Sequence, residues 1–132
     1  MRHGFGTCVL IVAALFCLLT TWSSATAPGG FAQRLGLVIA NAAGSNEIRA
    51  QYAGFFFAVA IVCAISLTGA VSRQSAYLVL AVVFGGLISG RLASLVLNGG
   101  IAGYTPTILA LYAIDSLGFV LAVSAIAVDG QR

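Results

Sequence analysis

Four apolar stretches, each close to the roughly 20 residues an α-helix needs to cross a bilayer's hydrocarbon core, take up most of this chain. They run from Phe5 to Trp22, Tyr52 to Val71, Ala76 to Leu97 and Thr105 to Val128. Backbone in hydrocarbon must satisfy its own N–H and C=O groups, and a helix does so within one segment. The expected fold is therefore all-α: an integral membrane four-helix bundle, with residues 1–132 forming a single membrane domain. The helices are expected at about 5–22, 52–71, 76–97 and 105–128.

Composition points the same way. Only 7% of the 132 residues are charged and the mean hydropathy is +1.09, whereas a soluble domain carries roughly 25% charged residues. Six arginines and three acids cannot cover a water-facing globule. The lipid bilayer is the implied partner. The net charge of +3 forms no basic stripe, which leaves nucleic-acid binding without support. His3 is the single histidine and sits at the N-terminus, so neither a metal site nor Ser/His nucleophilic catalysis can be assembled around it. Cys8, Cys17 and Cys63 lie inside apolar runs without a C-x-x-C pair and read as small buried apolar residues. No cofactor is expected.

The connections carry the punctuation. Arg2 before the first run and Ala25-Thr26-Ala27 after it imitate a signal peptide, but Pro28 would hinder cleavage there. Both a retained first helix, anchored at the interface by Trp22, and removal of residues 1–25 stay open. Pro28-Gly29-Gly30 breaks a continuing helix. Beyond it Phe31, Leu35, Val38, Ile39 and Ala42 recur with helical spacing, predicting a short helix between helices 1 and 2, either an interfacial helix on the membrane surface or an amphipathic loop helix packed on the bundle. Thr105 is placed to cap the fourth helix, with Pro106 at its first position. With four spans, Arg2, Arg73 and Arg132 share one side and Arg34 and Arg49 the other. That narrow bias puts both termini in the cytoplasm.

Two charges fall inside the apolar runs. A charged side chain at membrane depth costs at least about 2.5–3.5 kcal/mol and persists when paired or facing a cavity. Arg91 lies roughly 9 Å below the end of its helix and Asp115 roughly 15 Å in from the same side, at 1.5 Å per residue. An arginine stem spans that difference. Arg91, Ser94 and Asn98 share a helix face, as do Tyr112, Asp115 and Gly118. Gly86 and Gly90 have the G-x-x-x-G spacing that admits a close helix neighbour. Glu47 and Arg49 stand at the mouth of the second helix. Beneath them Tyr52, Phe56, Val59, Cys63 and Ser66 form one stripe. Such a seam can serve as a structural pair that fixes helix register, as a pocket for a polar molecule or lipid headgroup, or as an ion or proton path.

The segments Asn46-Glu47-Ile48-Arg49-Ala50-Gln51-Tyr52-Ala53-Gly54 and Gly90-Arg91-Leu92-Ala93-Ser94-Leu95, with Asn98-Gly99, resemble a bacterial membrane family known as domain of unknown function 4345. That family is in turn similar to the DoxX-like four-helix membrane proteins. The resemblance covers roughly the whole chain and implies a bacterial inner-membrane location. It points to Glu47, Arg49, Tyr52, Gly54, Arg91 and Asp115 and brings no established reaction. Ala53, Asn98 and Asp115 depart from its more usual glycine, aspartate and glutamate, which puts a charge-dependent role for Asn98 in doubt.

The residues thus favour a non-enzymatic membrane protein. It would serve as an accessory subunit among other membrane subunits, as a homo-oligomer, or as a binder of a lipid or small polar molecule through the Glu47, Arg49, Tyr52, Arg91, Ser94, Asn98 and Asp115 seam, with Gly54, Gly86, Gly90 and Gly118 packing helices. An enzyme is less supported, because Glu47 or Asp115 would act as a base only if burial tuned it. The alternative is a small transporter or channel, although no acid lies between Phe5 and Trp22 to resemble a small multidrug exporter. Reconstituted liposomes are expected to show no flux of protons, fluoride or cationic dyes; measured flux would favour the transporter.

Overall fold

In a computed structural model the described residues, the backbone of 2–130 and the side chains of 4–130, form helices joined by short turns. The side chains of Arg2, His3 and Arg132 lie outside the described residues. The elements are α1 (Arg2–Thr26), α2 (Pro28–Arg34), α3 (Ala42–Ile48), a π-helical segment (Arg49–Gly54), α4 (Phe55–Leu67), α5 (Arg73–Leu97) and α6 (Pro106–Asp129). α3, the π-helical segment and α4 run on as one apolar span, Ala42–Leu67. With Gly4–Thr26, Arg73–Leu97 and Pro106–Asp129 it makes four helices long and apolar enough to cross a membrane.

Helix ends follow local chemistry. α1 continues past Trp22 to Thr26, its polar side chains satisfied within the helix: Ser24 Oγ donates to the Thr20 carbonyl at 2.7 Å and Thr26 Oγ1 to that of Trp22 at 2.7 Å. Ser72 caps α5 by accepting from the Ser75 amide at 3.0 Å, and Thr105 caps α6 by accepting from Ile108 at 3.2 Å. α5 stops where Gly99 turns left-handed (φ 67°), with the Gly100 amide bonded to the Leu95 carbonyl at 3.1 Å. The helix break expected at Pro28 falls there, since α1 ends at Thr26, and Pro28 then starts α2, where its missing N–H is no loss. The single helix expected through Ala42 is corrected to the seven residues of α2. Gly36 (φ 78°) reverses the chain, residues 37–40 are not helical, and Val38 is 94% exposed.

The four spans close a ring in which α1 packs on α4 and α6, α5 packs on α6, and α4 on α5. Leu10, Cys17, Cys63, Tyr77, Leu80, Ala122 and Ala125 fill its centre. Leu19, Trp22 and Val82 point outward, as a helix surrounded by lipid allows. One end of the ring carries α2, α3 and the α5–α6 link. At the other, Arg73 Nη1 donates to Thr7 Oγ1 at 3.0 Å and ties α5 to α1.

The four glycines expected at helix contacts separate into two kinds. A Cβ on Gly118 would come within 2.8 Å of the buried Phe84 ring, so α5 and α6 approach there only because the side chain is missing. At Gly86 and Gly90 a Cβ would meet nothing within 4 Å, and at Gly54 only the Arg49 carbonyl at 3.7 Å. Among the described residues no other helix closes on the Cβ side of those three.

Candidate functional site

Arg91 on α5 and Asp115 on α6 meet inside the bundle, with Arg91 Nε donating to Asp115 Oδ2 at 2.5 Å. Antiparallel neighbours joined by a short link bring the two depths level, as the residue arithmetic requires. The partners are unequal. Asp115 is almost fully enclosed, its side chain 2% exposed, whereas that of Arg91 is 20% exposed. Nη1 and Nη2 of Arg91 make no hydrogen bond to a described protein group. The guanidinium is neutralised on one edge and open on the other.

Tyr112 fixes the arginine from behind. Its hydroxyl donates to the Arg91 carbonyl at 2.7 Å, and the guanidinium carbon lies 6.0 Å from its ring centre, at the outer limit of cation–π attraction. Tyr104, in the α5–α6 link, stacks on Tyr112 with ring centres 6.1 Å apart. The Tyr104 and Ser94 hydroxyls lie 3.2 Å apart, and Asn98 Nδ2 donates to Ser94 Oγ at 3.1 Å. The Ser94 hydroxyl, with lesser help from Tyr112 and Asn98, holds the Tyr104 phenol below its ordinary range.

These groups wall a cavity of about 500 Å³ whose lining includes Tyr52, Gly86, Gly90, Arg91, Ser94 and Tyr104. That volume is ordinary for a small-molecule site. Leu35, Gly36 and Thr105 close its outer rim, where Thr105 Oγ1 donates to the Arg34 carbonyl at 2.8 Å and ties α2 to α6. A second cavity of about 150 Å³ shares Leu35, Tyr52, Leu87 and Arg91 as wall, and continues between Phe16, Phe56 and Leu111 to Asp115.

Of the residues singled out in the sequence, the structure brings together Arg91, Asp115, Ser94, Asn98 and Tyr52. Tyr52 belongs to the π-helical segment, a widened turn of a kind often found at functional sites. Its ring lies 4.9 Å from that of Phe31 on α2. Below it Phe56, Val59, Cys63 and Ser66 are buried, so the expected stripe faces the core. Glu47 and Arg49 are not at the cavity. Both are exposed, and Arg49 Nε donates to the Ala25 carbonyl at 3.1 Å, where a cation favourably meets the C-terminal end of α1. Gly86 and Gly90 line the cavity instead of a helix contact. Sequence reasoning missed Tyr104, Leu35, Gly36 and the rim made by α2. A tyrosine directly before the Thr105-Pro106 cap was the one available signal.

A family model described as domain of unknown function (DUF4345) matches residues 6–124. The curated proteins give no match. The solved structures give none either.

The unequal burial sets the response to substitution. Arg91→Ala strands an enclosed carboxylate and is expected to cost about 3–5 kcal/mol, whereas Asp115→Ala leaves an arginine that still faces the cavity and is expected to cost clearly less. The Arg91→Gln/Asp115→Asn pair is expected to fall nearer wild type than Arg91→Ala. Melting of the purified variants in one detergent checks this ordering; equal losses for the two single variants would contradict it.

Proposed function

The chain belongs to the family described as domain of unknown function (DUF4345), and from that premise we propose that it is a non-enzymatic membrane protein holding a lipid or small polar molecule beside Arg91. One observation carries the reading: an arginine at membrane depth that is paired on one side opens its remaining donors onto a cavity of about 500 Å³. An ion pair needed only to set helix register would gain nothing from such an opening. Ionisable groups inside spans ordinarily mark functional positions. Tyr52, Arg91, Ser94 and Asp115 are the contact residues in this proposal and Asn98 supports Ser94, whereas Glu47 and Arg49, which do not line the cavity, take no part in it.

The wider setting belongs to the same proposal. Residues 1–132 act as one membrane domain in a bacterial inner membrane, DoxX-like in architecture, with other membrane subunits or further copies of the chain as partners. In the sequence Arg2, Arg73 and Arg132 on one side outnumber Arg34 and Arg49 on the other, which supports cytoplasmic termini and turns the rim of the cavity to the periplasm. In a cysteine-free background, Ser45→Cys is expected to react with a membrane-impermeant maleimide added outside intact cells and Gln74→Cys to stay unlabelled; the reverse pattern would invert the orientation.

Filling the cavity tests the binding itself. A Cβ on Gly90 meets nothing within 4 Å, so Gly90→Leu is expected to fold, keep its melting temperature and lose small molecules that co-purify with wild type. Mass spectrometry of both proteins from mild detergent reads the result. An unchanged set of retained molecules in Gly90→Leu would refute the proposal.

A further inference from the structure

We infer that the cavity beside Arg91 takes an uncharged amphiphile with carbonyl oxygens in its head and an apolar tail, an acyl ester of glycerol being the type. The inference rests on the binding role proposed above and specifies its ligand class.

The charge balance excludes ions. Arg91 and Asp115 already cancel, and no other Arg, Lys, Asp, Glu or His lines either cavity. An anionic head would leave a net negative charge in surroundings of low polarity, and a cationic head would face the guanidinium. Either leaves an uncompensated charge at membrane depth, which is costly. The neutral molecule remains.

The hydrogen-bond inventory then gives its polarity. The Arg91 Nη atoms carry N–H groups without a described protein acceptor. Ser94 and Tyr104 own two hydroxyl hydrogens, and the bond between them uses one. Asn98 donates into the same pair. Tyr112 spends its hydrogen on the Arg91 carbonyl. The wall offers more donors than acceptors, so the matching head carries acceptors. Carbonyl oxygens supply them without a charge.

The tail has its own place. Beyond Arg91 and Tyr52 the second cavity runs between Phe16, Phe56, Leu87 and Leu111. Phe16 is also a wall of a third cavity, about 110 Å³, bounded by apolar side chains and Gly118 alone. From the rim inward the lining changes from donor-rich to mixed to wholly apolar, which is the polarity order of an acyl ester.

The experiment is native mass spectrometry of the full chain in detergent, titrated with dioctanoylglycerol, dioctanoyl phosphatidic acid and octanoate. The first two differ only by the phosphate. Dioctanoylglycerol is expected to bind at least about tenfold tighter than either acid. Tyr104→Phe, which lies outside the spans, and Arg91→Gln/Asp115→Asn, which keeps the charge balanced, are both expected to weaken dioctanoylglycerol several-fold. Binding of either acid as tight as that of the ester overturns the neutral-head inference while leaving the cavity a binding site. Binding of none of the three overturns it as well. In that case the retained-molecule comparison of Gly90→Leu with wild type reports separately whether the underlying proposal falls.

Discussion

A carboxylate that hydrocarbon cannot solvate governs this structure. Asp115 is enclosed on nearly every side, and Arg91 is the cation it meets. Separating them would leave a charge in an environment that charges it heavily, so the pair fixes how far α5 slides along α6. The Tyr112 hydroxyl on the Arg91 carbonyl fastens the same level through the backbone. Deeper in the bundle the close contacts follow that register, with Gly118 against Phe84 and Gly85 against Phe119. Because lipid tails are as apolar as leucine, packing of this kind and polar bonds between helices provide the cohesion that hydrophobic exclusion supplies in water.

The cavity owes its shape to two features that break helical regularity. A π-helical turn at Arg49–Gly54 lies between α3 and α4 and presents Tyr52 to both the cavity and Phe31, while Arg49 reaches the end of α1. α2 then roofs the rim because Gly36 turns the chain back and Thr105 bonds to its last residue. Tyr52 also packs against the apolar core, and Ala53 and Ala32 are buried. Together the two features hold open a space that four straight helices would have closed.

Much of this was legible in the residues because it depends on counting. Long apolar runs translate into spans, and depth along α5 and α6 follows from 1.5 Å per residue, which was enough to put Arg91 level with Asp115. What a helical face does was less legible. Gly86 and Gly90 have the spacing of a helix contact yet line open space, while Gly118, the same residue type, is a true close approach. The difference lies in what stands opposite, and spacing along one helix holds no information about that. Likewise the apolar recurrence from Phe31 to Ala42 promised one helix, but α2 ends at Arg34, with Leu35 as its cap and Gly36 left-handed beyond it, since a left-handed residue outweighs periodicity in a segment so short. The π-helical turn has no sequence signature at all, and Tyr52 was singled out for other reasons.

The same geometry bears on holding a molecule against passing one. Toward the middle of the bundle the cavity runs out among Phe84, Leu80 and Tyr77, all buried, and Gly118 lets α5 and α6 close there. At the far end Arg73 and Thr7 bind α1 to α5, and Tyr77 lies against Gly6. A conduction path needs polar groups spaced along its length so that an ion can leave each site for the next. Here the polar groups gather at one depth around a pair that cancels its own charge, with apolar side chains beneath. Under the binding role proposed above, such an arrangement suits a molecule that meets the donors of Arg91, Ser94 and Tyr104 from one face and leaves by the same side.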